Sequence, residues 1–193
     1  MTDKNSYRKV APKILKGFRD YPPEEELARQ ELIEKTKRVY EKYGFLPLQT
    51  PALEYAETLF GGNYMAGNLK ELFGFRGPDD IDMALRYEFT VPLARYVAGN
   101  PDLPLPFRRY QFGPVWRVDK PGPGRYREFM QCDFDIVGTS LLLADTEIIA
   151  VMVEVLEDLG IKNFIVRYSN RKLINGLSSF AGFPLRRRAM FFG

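Results

Sequence analysis

Residues 107–138 read FRRYQFGPVWRVDKPGPGRYREFMQCDFDIVG, with side-chain character alternating on either side of a short loop rich in proline and glycine. Alternation with a period of two places successive side chains on opposite faces of a β-strand. Residues 120–124 cannot continue a helix, because two prolines fix φ and lack an N–H donor while two glycines permit unusual φ. The stretch therefore predicts two strands that pair as an antiparallel hairpin.

One face of the predicted hairpin collects most of its polar side chains. On the first arm the even positions are bulky and mostly apolar, whereas the odd positions are polar or small, Val115 excepted. Antiparallel pairing would join them to the odd positions of the second arm, which are Arg125, Arg127, Phe129, Gln131, Asp133 and Asp135. Guanidinium groups suit a phosphate chain, and an aromatic ring can stack on a flat base. A solvated sheet face is the alternative, but three arginines around a phenylalanine favour a binding site.

The composition excludes several kinds of catalyst. The chain has 193 residues, 45% of them hydrophobic and 27% charged, as in a folded domain of ordinary size. Histidine is absent, which excludes Ser-His and Cys-His nucleophilic machinery and the usual zinc sites. The net charge of +3 is too small to indicate nucleic-acid binding by itself. Any catalysis must therefore rest on arginines, carboxylates, substrate positioning and Mg²⁺.

The cysteine content and the hydropathy pattern bear on the cellular compartment. Cys132 has no second cysteine to pair with, and it falls on the apolar face of its strand, so we expect a buried thiol in a reducing compartment. The sequence contains no apolar run long enough to cross a membrane and no secretory signal. We therefore expect a cytoplasmic protein.

The chain before the hairpin predicts a helix, short strands and a second helix. Pro22 and Pro23 are set to open a helix over residues 24–43, which Gly44 ends. Its predicted apolar stripe is Leu27, Leu32, Ile33, Val39, Tyr40 and Tyr43. Residues 43–54, YGFLPLQTPALE, predict an edge strand because proline cannot donate to a central ladder. Residues 56–80 indicate a short helix or turn, a loop, and then a strand and turn.

Residues 83–98, MALRYEFTVPLARYVA, change their period part of the way along. Arg86, Glu88 and Thr90 are predicted to share one face of a strand, and Pro92 to open a helix with Thr90 or Val91 near its cap. Glu88 could instead serve as the partner of Arg86, and Thr90 as a cap without further function. The pattern leaves these alternatives open.

After the hairpin the sequence predicts a helix, a strand and another helix. The helix covers residues 144–160, with Asp145 or Thr146 as its cap and Gly160 closing it. Its apolar stripe is Ile148, Met152, Val155, Leu156 and Leu159. Residues 161–170 predict a strand, and residues 171–177 a short helix. The fold class is thus α+β, with an antiparallel sheet that carries a site on one face and helices on the other.

Three segments carry a resemblance to a known family. WRVDKPGPGRYREFMQ and CDFDIVG, residues 116–138, resemble motif 2 of class II aminoacyl-tRNA synthetases and, within that class, histidyl-tRNA synthetase. Residues 88–90, Glu-Phe-Thr, resemble the loop that holds the α-amino group of histidine in that family. The helix and proline-ended strand before residue 52 resemble motif 1, which builds the dimer interface there.

The resemblance implies a partial class II catalytic domain over residues 14–180, between a flexible tail at 1–13 and a basic, aromatic tail at 181–193. The implied function is ATP-dependent activation of L-histidine to histidyl-adenylate and transfer to tRNA(His), in a homodimer formed through motif 1. The ligands would be ATP, with Mg²⁺ as the ATP complex, and no metal site on the protein itself.

The resemblance also assigns roles to particular residues. Arg117 would act on the α-phosphate of ATP and the carboxylate of histidine as the catalytic residue. The remaining ATP contacts would be Asp119 to the adenine amino group, Phe129 to the adenine ring, and Arg125 and Arg127 to the outer phosphates or the tRNA acceptor end. Besides Arg117, the histidine contacts would be Glu88, Thr90, Gln131 and Asp135.

The sequence departs from the family pattern in what it lacks. Motif 3, the histidine-specific arginine segment and the anticodon-binding domain have no counterpart, which indicates a truncated chain. One alternative is therefore a non-catalytic binding protein of the histidine-biosynthesis regulatory type, although those proteins tend to lose the motif 2 arginines kept here. Others are a dimerisation fragment and, more weakly, nucleic-acid binding through the basic tail.

Overall fold

The structure is a computed structural model that describes residues 10–61 and 72–170 and the single positions 172, 176 and 180. The chain divides into two compact units, Met1–Leu159 and Gly160–Gly193. The elements of the first unit are α1 (Pro23–Lys42), β1 (Leu46–Pro47), β2 (Leu53–Tyr55), α2 (Ala56–Phe60), β3 (Gly74–Arg76), β4 (Asp82–Leu85), α3 (Thr90–Ala98), β5 (Phe107–Trp116), β6 (Glu128–Val137) and α4 (Leu142–Asp158). The predicted α+β class is confirmed.

The predicted hairpin is formed by β5 and β6. The two strands pair antiparallel from Phe107 opposite Val137 to Trp116 opposite Glu128, so odd residues face odd residues throughout. β1 pairs parallel with β5 and forms the outer strand of this sheet, in the order β1-β5-β6. A second, antiparallel sheet has the order β2-β4-β3. The hairpin, the outer position of β1 and the shared odd face are therefore confirmed.

The even face of the hairpin forms the core with α1 and α4. The ring of Tyr40 in α1 lies 5.8, 5.6 and 4.7 Å from the rings of Tyr110, Phe112 and Phe134. Val39, Phe45 and Val151 complete this cluster and are buried. Aromatic groups at these distances add favourable ring interactions to the burial of apolar area. The helices thus cover the even face and leave the odd face to the segments around β4 and α3.

Helix α1 begins and ends where the sequence predicts. Pro23 occupies its first turn, and Gly44 follows the last residues with φ at +77°. The predicted apolar stripe is wrong in its first half, because Leu27 and Leu32 are 68% and 50% exposed and the buried residues begin at Thr36. Leu32 lines an open groove of about 260 Å³ together with Ile33, Met130 and Cys132, among others.

The same groove accounts for a second correction. Cys132 was expected to be buried on the apolar face of its strand, but the residue is exposed. It lies on the even side of β6, opposite Phe112, where the first half of α1 does not close over the sheet. Alternation identified the correct face, but it could not show how far the covering helix reaches.

The strand predicted through Arg86, Glu88 and Thr90 ends earlier than expected. β4 stops at Leu85, and α3 begins at Thr90, two residues before Pro92. The Glu88 carboxylate accepts hydrogen bonds from the N–H groups of Thr90 and Val91, the latter at 2.8 Å. A carboxylate in this position satisfies free donors at the helix N-terminus. Capping of α3 therefore ends the extended run before Glu88.

Two predictions for α4 are wrong. α4 has Leu141 as its N-cap in place of Asp145 or Thr146, and the Thr139 Oγ accepts a hydrogen bond from the Leu141 N–H at 3.2 Å. The predicted apolar stripe of α4 included Met152 and left out Val151. In the structure Val151 is fully buried, whereas Met152 is 43% exposed.

Residues 161–170, in the second unit, form no strand. A strand needs a neighbour for its backbone hydrogen bonds, and the described residues provide none for this segment. Of the helix predicted at 171–177, positions 172 and 176 are helical and the others lie outside the described residues.

Candidate active site

The loop end of the hairpin gathers Arg117, Arg125 and Arg127. The Arg117 N–H donates to the Arg127 carbonyl at 2.8 Å, which extends the β5–β6 pairing by one more pair. Beyond it, Arg125 Nη2 lies 2.7 Å from Asp119 Oδ2, and Arg127 Nε donates to the Asp119 carbonyl at 3.1 Å. The guanidinium of Arg125 holds the pKa of Asp119 below its usual value, with Arg117 adding to the effect. The loop is therefore tied together by its own charged groups.

Arg117 stands exposed at the centre of this end. Its Nε donates to the Tyr87 carbonyl at 3.1 Å, and its guanidinium lies 5.1 Å from the centroid of the half-buried Phe129 ring. Within the described part of the chain, its two terminal nitrogens have no hydrogen bond or ion pair. Arg117, Asp119 and Tyr87 line an open cavity of about 330 Å³. The side chain is thus held at Nε, and the described residues leave the nitrogens that bind an anion unoccupied.

The segment before α1 supports the same end from outside. The Gly17 carbonyl accepts a hydrogen bond from the Arg127 N–H at 2.8 Å. The Arg19 guanidinium lies 4.4 Å from the Tyr21 ring centroid and 4.3 Å from that of Tyr126. Sequence reasoning missed this support, because a lone glycine ahead of a helix gives no signal of a contact more than a hundred residues away.

The other end of the odd face is acidic. Asp133 and Asp135 on β6 lie near Glu88, which precedes α3, and Arg109 on β5 is the guanidinium among them. Arg109 Nη2 lies 2.6 Å from Asp135 Oδ2. Burial raises the pKa of both aspartates above the usual value, and Arg109 opposes this effect. Three carboxylates around one guanidinium favour a cationic ligand.

A buried polar layer lies between the two ends and fixes the strand that precedes α3. Arg86 is 4% exposed, and it donates to the Thr50 carbonyl at 2.6 Å and to the Pro114 carbonyl at 3.2 Å. A Cβ at position 113 would lie 2.9 Å from Arg86 Nη2, so only glycine fits there without a shift. Arg86 is therefore a structural residue, and the described residues show no ion pair between it and Glu88.

The predicted site residues occupy two groups on the odd face. Asp119, Arg125, Arg127 and Phe129 lie with Arg117 at the loop end, and Gln131 and Asp135 lie toward the acidic end. Glu88 is near the aspartates, but its carboxylate already caps α3. Thr90 is exposed, and its N–H is bound to Glu88. Sequence reasoning did not select Arg109, although its odd position on β5 placed it on the same face.

Two broader features follow from the described residues. The described residues contain no group of three or more His, Cys, Asp or Glu side chains that could hold a metal ion. None of their helices is both long enough and apolar enough to cross a membrane.

The fold matches solved structures over most of this chain. The crystal structure of histidyl-tRNA synthetase from Nostoc sp. PCC 7120 superimposes with a TM-score of 0.79 and 34% identity, covering 93% of this chain and 40% of that one. An ATP phosphoribosyltransferase regulatory subunit/histidyl-tRNA synthetase from Bacillus halodurans gives a TM-score of 0.70 at 26% identity. That match covers 81% of this chain and 40% of the other one. The sheet, its flanking helices and the hairpin are those of a class II aminoacyl-tRNA synthetase catalytic domain.

Sequence comparison narrows this class to one family. The family model for histidyl-tRNA synthetase matches residues 17–192. A histidine--tRNA ligase from Aeropyrum pernix is 48% identical over 167 residues, which cover 86% of this chain and 38% of that protein. The chain therefore belongs to the histidyl-tRNA synthetase family, and it spans less than half the length of the relatives it matches.

Proposed function

We propose that this chain binds L-histidine and ATP for the formation of histidyl-adenylate, and that it serves the transfer of histidine to tRNA(His). The observation that carries the proposal is the division of charge along one hairpin face. Exposed arginines cluster at the loop end, and partly buried carboxylates at the other. A negatively charged triphosphate and an amino acid with two basic groups are complementary to these two ends.

Arg117 is the proposed catalytic residue. Histidine's own carboxylate attacks the α-phosphorus of ATP, pyrophosphate leaves, and the reaction needs no histidine or serine from the protein. The task of the site is to neutralise the charge that builds up on the phosphate oxygens and to hold the two reactants together. The free terminal nitrogens of Arg117, fixed by the bond from Nε to Tyr87, are suited to this role.

The residues at the loop end fit the rest of ATP. Phe129 provides an aromatic face for adenine, and Arg125 and Arg127 provide charge for the outer phosphates or the tRNA acceptor end. Arg125 would have to exchange Asp119 for phosphate, and the released carboxylate could then accept from the adenine amino group. Mg²⁺ would arrive with the triphosphate and neutralise part of its charge.

The acidic end is the proposed site for the histidine side chain and ammonium group. Glu88 offers oxygen lone pairs beyond those that cap α3, and Thr90 exposes its hydroxyl beside it. Gln131 and Asp135 stand on β6 with polar atoms toward the same face. The buried Gln131 Oε1 has no hydrogen-bond partner in the described part of the chain, which is consistent with a place kept for a ligand donor.

The assembly and the location are part of the same proposal. A homodimer would form through α1 and the strands that follow it, where Leu27, Leu32 and Leu53 are exposed. Residues 14–180 would make up the partial catalytic domain, with 1–13 and 181–193 as tails, and the second tail lies outside the described residues. The protein would act in the cytoplasm.

The test is histidine-dependent ATP–pyrophosphate exchange with the purified chain. We expect exchange that needs histidine and falls by at least about a hundredfold in Arg117→Ala. The matched control is Arg108→Ala, which removes an arginine that pairs with Glu147 of α4, and this variant should retain exchange. Equal exchange in Arg117→Ala and the native chain would refute the role of Arg117. Histidine binding without any exchange would favour the regulatory type of function.

A further inference from the structure

Arg109 is among the largest fully buried side chains of the described residues, yet the proposed chemistry gives it no substrate contact. It stands on the odd face of β5 with 0% exposure. Its Nε and Nη1 are buried and have no hydrogen-bond partner in the described part of the chain. A buried guanidinium with unsatisfied donors is costly, and an apolar side chain of similar volume often costs less. The charge at this position therefore calls for a functional explanation.

Arg109 contacts the Asp135 carboxylate from one side, and the ligand would contact it from the other side. Asp135 lies directly opposite Arg109 in the hairpin, and Nη2 of the arginine is 2.6 Å from Asp135 Oδ2. This oxygen is buried, whereas the Asp135 side chain as a whole is 31% exposed. The contact of Arg109 with Oδ2 is an ion pair without hydrogen-bond geometry, and the rest of the Asp135 side chain is partly accessible to a ligand.

The surroundings of Asp135 oppose its ionisation. Burial is the main cause that raises its pKa, and the negative charge of Glu88 adds to it, whereas Arg109 lowers it. Asp133 on the same strand responds in the same way to burial and to Arg109. The exposed Asp145 of α4 lines a cavity of about 330 Å³ together with Asp135. Arg109 is thus the cation that the structure places among these acidic groups.

We propose that Arg109 is a positioning residue for recognition of the amino acid, because it fixes one oxygen of Asp135 and keeps the carboxylate charged for the ligand. The inference rests on the proposed function, in which Asp135 binds histidine. Arg109 acts through Asp135 and, being fully buried, is not itself exposed to the ligand. Its second contact, from Nη2 to the Phe89 carbonyl at 3.4 Å, anchors it to the turn that carries Glu88 and Thr90.

The experiment is calorimetric titration of the chain with L-histidine from about pH 5.5 to 8.5, the range in which imidazole titrates. The variants are Arg109→Met, Arg109→Lys and, as control, Arg108→Met. Arg108 is the neighbouring arginine, and it pairs with Glu147 on the opposite side of the strand. Titration of histidine itself affects every variant equally, so differences between the profiles report on the protein. Circular dichroism shows whether each variant is folded.

We expect Arg109→Met to move the acid limit of histidine binding to higher pH, because Asp135 then loses the cation that favours its charged form. Each unit of this shift weakens binding at the acid end by about tenfold. Arg109→Lys should shift the limit in the same direction by less, and Arg108→Met should match the native chain. In an Asp135→Asn background, Arg109→Met should produce a smaller shift, which reports on Asp133 alone.

Several outcomes decide against the proposal. A profile for Arg109→Met that coincides with that of the native chain would overturn it, as would an equal shift in Arg108→Met. If Arg109→Met does not fold, Arg109→Gln takes its place, and a native-like profile for that uncharged variant contradicts the proposal. Absence of histidine binding to the folded native chain at every pH would instead refute the proposed function, and the role of Arg109 with it.

Discussion

The Gly17 carbonyl accepts a hydrogen bond from the Arg127 N–H at 2.8 Å, and the two residues are in close contact along the side chain as well. A Cβ at position 17 would lie 2.8 Å from Arg127 Cγ, and Gly17 has φ at +88°, where side chains are disfavoured. The segment before α1 and the arginine-bearing end of the hairpin are therefore fitted to each other through a glycine.

Substitution of Gly17 by alanine should disturb the hairpin end and lower stability together. The conformational strain costs about 1–2 kcal/mol, and the Arg127 side chain must also move. The matched control is Gly44→Ala, which has φ at +77° but nothing within 4 Å of the added Cβ. Urea denaturation measures the strain in both variants, and ATP–pyrophosphate exchange measures the displacement of Arg127. We expect both variants to lose stability. Only Gly17→Ala should also show reduced ATP–pyrophosphate exchange.

Tyr40 is the centre of the core, and its ring matters more than its hydroxyl. The side chain is 3% exposed and contacts the rings of Tyr110, Phe112 and Phe134, whereas its hydroxyl makes one long hydrogen bond of 3.4 Å to the Cys132 carbonyl. Tyr40→Ala should therefore cost about 3–5 kcal/mol of unfolding free energy, and Tyr40→Phe no more than about 1 kcal/mol. Denaturant unfolding of the two variants tests this, and equal losses would contradict the assignment of the core.

The hairpin and its face could be predicted from the sequence, because strand alternation is local and the Gly/Pro loop fixes the register. Other features depend on contacts that no local pattern contains. The sequence predicts Glu88 in a strand, whereas in the structure α3 begins beside it and Glu88 caps this helix. The sequence predicts a buried Cys132, whereas the groove beside α1 leaves this residue exposed. The strand predicted at 161–170 fails for the same reason, since strand formation depends on a neighbouring strand as well as on alternation.

Stability should fall in alkali because of Tyr110. Burial, together with the hydrogen bond from its hydroxyl to Glu41 at 2.8 Å, raises the pKa of Tyr110 to about 12. The unfolded chain releases this proton near pH 10, about two units earlier, so the contribution is complete below about pH 10 and is lost as the pH rises to about 12. Tyr110→Phe should show a shallower loss over this window in urea denaturation. The exposed Tyr168 provides the control, since Tyr168→Phe should follow the native chain.

The ionised Asp133 should supply negative charge to the acidic end and lower the stability of the fold. Burial raises its pKa above the unfolded value despite Arg109, so ionising it costs more in the folded chain than in the unfolded one. Its contribution to stability is therefore largest at low pH and is lost as the pH rises through the folded pKa. In the native chain the Gln131 Nε2 donates to Asp133 Oδ2 at 3.3 Å. Asp133→Asn keeps an oxygen that can accept this hydrogen bond and removes the ionisation.

We accordingly expect Asp133→Asn to raise the melting temperature at neutral pH, with the advantage shrinking as the pH falls below the range in which Asp133 ionises. The same variant should weaken histidine binding, because the acidic end loses one of its three negative charges while Arg109 remains. The comparison is Asp145→Asn, an exposed carboxylate on α4. A neutral-pH gain of the same size in both variants would show that general charge repulsion, and not burial of Asp133, sets the effect.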